Sequence, residues 1–554
     1  LQVAQDVRDG SNRERLEKFS SSEDKSNGVG AVEAAMLSLS VAAEKMDPSH
    51  FATCLDEVLN EGWYLPETQM LELIDYYGNG FSHVSFQWVT MFEEYPLSKL
   101  IDPLYEKSID FINTLPFDTL SAFVLWSSDL ILTEWPGVVK VEQRNSNKSK
   151  VATFVVLAMA LRTQPDALTL VLTNMKERPT YQGQDKLPVI IWMMAQVHSD
   201  KTTASQGDLS AGLFSWVQTL LPLVVNECCS SQAIDLILQF VEMILSSNPE
   251  SRAVLLNEPV RHGVRLIPPC SFEMLVRLTF PPSSARVEST QRFEAIYPLL
   301  KEVALAPDIS ANALKQIFTF SLKLAGGQGI GGNPALANEA TAIAISVLTQ
   351  NVDCFKQWDV LYKENLEASV ALLNKLVDEW KDHSLKLSSS SSDTLTVKHA
   401  MNSFRMKIFT FSWKLAGGQG NPALANEATA IAISVLTQNI DCFKQWDVLY
   451  MENLEASVSL LKKLVDEWKV HSLKLSSSPS DTLTLKHAMN SFKMKNEKAI
   501  TEGVTSLSLY KEADKSCKLI SWRLSCGLRL ASLTTMVLLE YYGTEDKTYI
   551  SKCF

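Results

Sequence analysis

The chain has 554 residues, 46% of them hydrophobic and 21% charged, and a formal net charge of −12. That composition excludes wholesale disorder, and the acidic balance argues against a nucleic-acid partner, because a polyanion is repelled rather than steered in. Nine cysteines without a C-x-x-C pair read as reduced thiols and not as a disulfide framework.

Residues 1–30 are polar and Gly/Ser-rich, which predicts a disordered N-terminal segment; they open on Leu1, so a preceding stretch is expected. From residue 31 the pattern turns helical, as in "AVEAAMLSLSVAAEKM" and "PETQMLELIDYYG", giving an N-terminal helical region over 31–139. A polar stretch, "KVEQRNSNKSK", predicts a linker at 140–150 and carries the sequon Asn147-Lys148-Ser149. Residues 151–316 continue as a central helical array broken by "SSNPES", "LIPPCS" and "TFPPSS". The apolar runs at 151–161, 187–197 and 209–225 fall short of the roughly 20 residues a spanning helix needs and read as core helices.

Next comes the clearest feature of the sequence. Ile317–Lys407 recurs as Ile408–Lys495. Once Ile330–Gly332 are set aside, the 88 aligned positions differ at nine: Leu322/Trp413, Val352/Ile440, Lys363/Met451, Ala371/Ser459, Asn374/Lys462, Asp382/Val470, Ser391/Pro479, Val397/Leu485 and Arg405/Lys493. Scarce strands and recurrent helix-length segments predict an all-α fold, an α-solenoid-like helical array containing this near-identical tandem block. Stacked copies would bury both Trp380 and Trp468, whereas a passenger copy would expose one. Residues 496–554 are expected to form a C-terminal helix and a tail resembling a degenerate membrane anchor. Its best apolar run, Leu528–Leu539, holds Arg529, with Arg523 just upstream.

Candidate chemistry is sparse. Gly327, Gly329 and Gly332 match G-x-G-x-x-G after the alternating "FTFSLKL", with Asp353 placed as a ribose-binding acid would be. The second copy keeps the flanks and Asp441 but drops Ile330–Gly332, so the loop behaves as a connector between helices, with Asn333-Pro334 and Asn421-Pro422 as helix starts. The nucleotide-binding enzyme is therefore the disfavoured alternative. No H-E-x-x-H, G-x-S-x-G or P-loop pattern occurs, so no catalytic, metal or cofactor-binding residue is assigned, and neither a small-molecule substrate nor a cofactor is expected. Asp378-Glu379 reads as a solvated helix face. What does recur is an apolar stripe at 4-3-4-3 spacing, Leu366, Val370, Leu373, Val377 and Trp380, repeated as Leu454, Val458, Leu461, Val465 and Trp468. It predicts a helix packed on its neighbours or, alternatively, one offered to a partner helix.

Long blocks resemble plant-type members of the transmembrane protein 214 family. They include "WVTMFEEYPLSKLID" (88–102), "KSKVATFVVLAMALRTQPDAL" (148–168), "YQGQDKLPVIIWMMAQ" (181–196), "RLIPPCSFEMLVRLTFPPSSARVESTQRFEAIYPLLKEVALA" (265–306), "NEATAIAISVLTQNVDCFKQWDVLYKENLEASVALLNKLVDEWK" (338–381) and "SLYKEADKSCK" (508–518). The resemblance implies an all-helical body on the cytosolic face of endoplasmic reticulum or Golgi membranes. It also implies a non-enzymatic scaffold with protein partners, of procaspase type in animal relatives, linked there to cell death under endoplasmic-reticulum stress. Arg523 and Arg529 set this tail apart from an ordinary anchor, which leaves a soluble cytosolic adaptor as the alternative.

Overall fold

The computed structural model describes residues 38–542, apart from 61–65, 85–95, 135–146, 179–180, 182, 199–207, 227–228, 247–248, 308, 327–332, 352, 380–393 and 418–420. The fold is all-α, as expected, and the chain divides into two units, Leu1–Ile309 and Ser310–Phe554.

The first unit contains α1 (Leu39–Glu44), α2 (Pro48–Asn60), α3 (Pro66–Gly80), α4 (Asp102–Thr114), α5 (Phe117–Glu134), α6 (Asn147–Thr163), α7 (Pro165–Glu177) and α8 (Leu187–His198). After these come α9 (Leu209–Val224, with a π-turn at Trp216–Leu220), α10 (Ser231–Leu245), α11 (Pro249–Asn257), α12 (Pro269–Thr279) and α13 (Glu288–Ala304). The run that opens this unit's array, "VATFVVLAMAL", is the centre of α6, and no residue of it is more than 2% exposed. A helix apolar all round must be covered all round, and α3, α4, α5, α7 and α8 supply the cover. The expected linker gives up its last four residues to this helix, which begins at Asn147.

One small departure from all-helix is a hairpin of β1 (Val260–Arg261) and β2 (Val264–Arg265). His262 and Gly263 turn it with φ of 51° and 74°, the left-handed pair a two-residue hairpin demands. Arg261 anchors the hairpin. Its guanidinium bonds Asp166, both oxygens of Asp208 at 3.0 and 2.8 Å, and Ser210 at 3.0 Å, while Asp208 also caps α9 through the Ala211 amide. Arg265 closes the far end by donating to the Val303, Ala304 and Ala306 carbonyls where α13 ends.

The second unit contains α14 (Ala311–Ala325), α15 (Pro334–Gln350), α16 (Cys354–Leu361), α17 (Leu366–Asp378), α18 (Thr394–Ala416), α19 (Pro422–Gln438), α20 (Cys442–Leu449), α21 (Leu454–Asp466), α22 (Trp468–Leu475), α23 (Pro479–Thr501) and α24 (Leu507–Tyr542). The bounds of α15, α16 and α17 recur 88 residues later in α19, α20 and α21, as near-identical local sequence dictates. Asn333 caps α15 by accepting from the Leu336 amide at 3.2 Å, and Asn421 caps α19 from Ala423 at 3.0 Å; each is followed by a first-turn proline. The repeat's own limits, Ile317 and Ile408, fall inside α14 and α18, so its sequence boundaries are not structural ones.

Candidate helix-docking interface

Each copy of the block is organised around a tryptophan on its short third helix. Trp358 is fully buried, donates Nε1 to Ser369 Oγ at 2.9 Å, and meets Phe318 and Phe355 at ring distances of 5.9 and 5.7 Å. Trp446 repeats this with Ser457 at 3.1 Å, Phe409 at 6.2 Å and Phe443 at 5.7 Å. In the second copy Trp413, replacing Leu322, adds a second Nε1 donor to Ser457 at 3.2 Å while staying 1% exposed. The hydroxyl of Ser457 donates in turn to the Tyr450 carbonyl at 3.2 Å. Burial pushes the Cys354 thiol up to about 11 and the Cys442 thiol up to about 12, so these thiols are apolar packing groups and poor nucleophiles.

The predicted stripes lie mainly on α17 and α21, and the structure turns them partly inward; α21 ends at Asp466, so Trp468 opens α22 and does not continue the stripe of α21. Val370, Leu373, Val458 and Leu461 are at most 3% exposed, but Leu366, Val377, Leu454, Val465 and Trp468 are only half-buried. Trp380 lies outside the described residues. The buried faces are centred elsewhere, on Ser369, Leu372 and Leu376 in α17 and on Ser457, Leu460 and Leu464 in α21. The 4-3-4-3 spacing traces one edge of a wider face. The two leucines four apart at 372 and 376 are the signal that centres it.

That face has a second side. α17 packs against α19, a helix of the following copy, and α21 packs against α24, which comes after the last copy. At the seam Asn374 donates to the Glu427 carboxylate of α19. The equivalent residue in α21 is Lys462, and its ammonium lies 2.6 Å from Glu512 of α24. Arg523 of α24 also donates to the Val465 carbonyl at the end of α21, where orphan carbonyls attract a cation. Two successive copies thus offer one face to two different helices, each with a glutamate at the same place. Asn374/Lys462 is one of the nine sequence differences, and a gained cation is the signal that marks this position.

Gly327, Gly329 and Gly332 lie outside the described residues. The segment before them, which a dinucleotide fold needs as a parallel strand, is part of helix α14. That overturns the strand on which the nucleotide alternative rests. Asp353 is exposed and paired with Lys356 at 3.0 Å. At the junction of the copies a cavity of about 10 Å³, lined by Val377, Arg405, Ile408, Val435 and Gln438, has room for no more than about one water. Among the described residues no group of three or more His, Cys, Asp or Glu could hold a metal ion.

No single described helix is long and apolar enough to cross a membrane; two helix pairs have the length and composition but bend by 118° (Asp102–Thr114 with Phe117–Thr133) and 104° (Lys150–Thr163 with Pro165–Asn174). A scan against protein-family models matches no family, and a search of curated proteins finds no match.

Proposed function

We propose that this chain is a non-enzymatic scaffold, a helical array that recruits protein partners on the cytosolic face of the endoplasmic reticulum or Golgi. One observation carries the recruiting half of the reading: α17 and α21 present the same face, and two helices of different sequence dock on it. A surface that accepts different helices by one rule is what an adaptor needs. The membrane half, like the link to stress-induced cell death, is drawn from the sequence resemblance to the transmembrane protein 214 family. Subcellular fractionation of the tagged chain tests the location: recovery with endoplasmic-reticulum membranes is expected, and a wholly soluble pool overturns it. A defined catalytic activity in the purified chain would overturn the scaffold.

A second reading, a soluble cytosolic adaptor, has one observation in its favour. Arg523, near the start of the anchor-like tail, bonds the Val465 carbonyl and ties that part of α24 to α21. The same fractionation separates the two readings.

A further inference from the structure

Helix α24 packs on α21 and α23 much as α19 packs on α17 and α18, and three features of its seat bear on its release. Asn496 of α23 is fully buried and accepts from the Tyr450 hydroxyl at 3.1 Å, yet its Nδ2 finds no partner. On α24, Asp514 Oδ1 and Ser521 Oγ are also buried without a partner, although Asp514 pairs through its other oxygen with Lys518 at 2.6 Å. Each buried polar atom left unbonded subtracts from the docking of the helix that buries it. Second, the connection from α23 is a short turn with two left-handed residues, Gly503 at φ 65° and Ser506 at φ 79°. A serine held there stores strain that release of the helix relieves. Third, the seam is charged: Lys462 faces Glu512, where the seam between the copies has Asn374 facing Glu427. The seat of α24 is therefore imperfect, sprung and electrostatically coded.

We propose that α24 is a releasable cap over a helix-docking groove on α21, and that the groove then takes, in place of α24, an amphipathic partner helix with small and branched apolar residues on its inner face and a glutamate opposite Lys462. The partner chemistry is read from the two occupants already present. α19 buries Ala428, Ala432 and Val435 and offers Glu427; α24 buries Ala513, Cys517 and Ile520 and offers Glu512. Lys462 selects for the acid more strongly than Asn374 can, because an ammonium facing a carboxylate adds a Coulombic term that a neutral amide lacks. The inference names the partner class for the scaffold reading, but it concerns the purified chain and holds or fails whatever membrane the protein occupies.

The test uses the full chain and a fluorescein-labelled peptide of residues 421–438, which carries the α19 face. Ala513→Arg forces a guanidinium into the seat from the α24 side and leaves the groove on α21 intact. Hydrogen exchange across 507–524 should accelerate at least about ten-fold in this variant while α19 keeps its protection, which shows that the block remains folded. The peptide should bind this variant at least about ten-fold tighter than the unmodified chain. A peptide carrying Glu427→Lys should lose about three- to five-fold of that affinity, the scale of an exposed ion pair made repulsive, and Lys462→Glu in the chain should restore it. A milder opener, Glu512→Lys, should show the same order with smaller changes. Equal peptide binding by the unmodified and Ala513→Arg chains with α19 still protected would overturn the proposal. So would binding that ignores the charge exchange at 427 and 462.

Discussion

The two copies of the repeated block are nearly the same sequence in different company. Trp358 of the first copy stacks on Phe411 at 4.7 Å, and Asp359 pairs with Lys414 at 2.6 Å. In the second copy Trp446 meets Phe492 at 5.0 Å and Asp447 pairs with Lys495 at 2.9 Å. By sequence, Phe492 and Lys495 correspond to Phe404 and Lys407. The partners used in the first copy lie seven residues further on, and both contacts shift by the same seven. Seven residues are two turns of helix, with a lag of about 20°, so such a shift returns nearly the same face to the same place. The difference originates in the residues just beyond each copy. After Lys407 the helix runs on into "IFTFSWKLA", which supplies another Phe and Lys at heptad spacing. After Lys495 it runs into "NEKAITE", where Ala499 and Glu502 occupy those positions and can neither stack on Trp446 nor pair with Asp447. A copy's closure is decided partly by residues outside it.

The largest effects should come from the tryptophans. Trp358→Ala and Trp446→Ala each leave a large cavity and remove a donor from a buried serine, although Ser457 keeps Trp413, and each should cost about 3–5 kcal/mol in urea unfolding of the chain. Near-zero cost at Trp446 alone would mark the second copy as a passenger. The next effect sharpens the seven-residue shift. Phe411→Ala should cost about 3 kcal/mol, and hydrogen exchange should quicken in α16 and α17, elements of the preceding copy. Phe492→Ala should instead loosen α20 and leave α16 protected. Loosening of α20 alone by both variants would refute the shared closure.

How much of this is legible in the sequence depends on whether the cause is local. Helix starts at Asn333-Pro334 and Asn421-Pro422, the core nature of "VATFVVLAMAL", and the all-α class come from caps and periodicity, which act within a few residues. The hairpin at 260–265 escapes such a reading, though "VRHGVR" carries a turn glycine between two valine–arginine pairs; two-residue strands are too short to show alternation. The docking face of α17 and α21 is visible in the spacing but lies off-centre from it. Which helix covers that face is not legible, because α19 and α24 are brought there by tertiary contacts across dozens of residues. Arg405 shows the same limit. In the repeat's register it falls where α14 has the buried Leu314, and burial holds its guanidinium below the ordinary arginine range, a cost that only the packed junction reveals.

A smaller effect contrasts two glycines at equivalent positions. A Cβ on Gly326 would meet the Ala368 side chain at an ordinary 3.7 Å, whereas on Gly417 it would fall 1.9 Å from the Asn453 amide. Asn453 caps α21 by accepting from the Ala456 amide at 3.1 Å, and the equivalent Asn365 makes no such cap bond. Gly417→Ala should therefore displace a helix cap and cost about 1 kcal/mol, while Gly326→Ala stays within about 0.5 kcal/mol of neutral. Equal Tm shifts for the two variants would show that the cap is dispensable.

The smallest effect is a pH dependence at the end of α21. Burial raises the Glu467 carboxyl, but hydrogen bonds from His471 and Lys463, at 3.1 Å each, outweigh it and hold the group below the usual glutamate range. A depressed folded value means that the unfolded chain binds the proton more readily. The contribution is thus fully present above the unfolded pKa of about 4.3, and it is lost as the pH falls through the lower folded value. In the first copy the corresponding Lys375–Glu379 pair is longer, at 3.8 Å. Glu467 is 40% exposed, so solvent screening limits its contribution to a few tenths of a kcal/mol. Glu467→Gln should therefore lower Tm slightly at pH 7 and leave it unchanged near pH 3, with Glu379→Gln having the weaker effect at pH 7. A Tm difference for Glu467→Gln that grows on acidification would reverse the sign and refute the assignment. An effect at Glu379 as large as that at Glu467 would mean that the longer pair is no weaker, and that at this position the two copies are energetically alike.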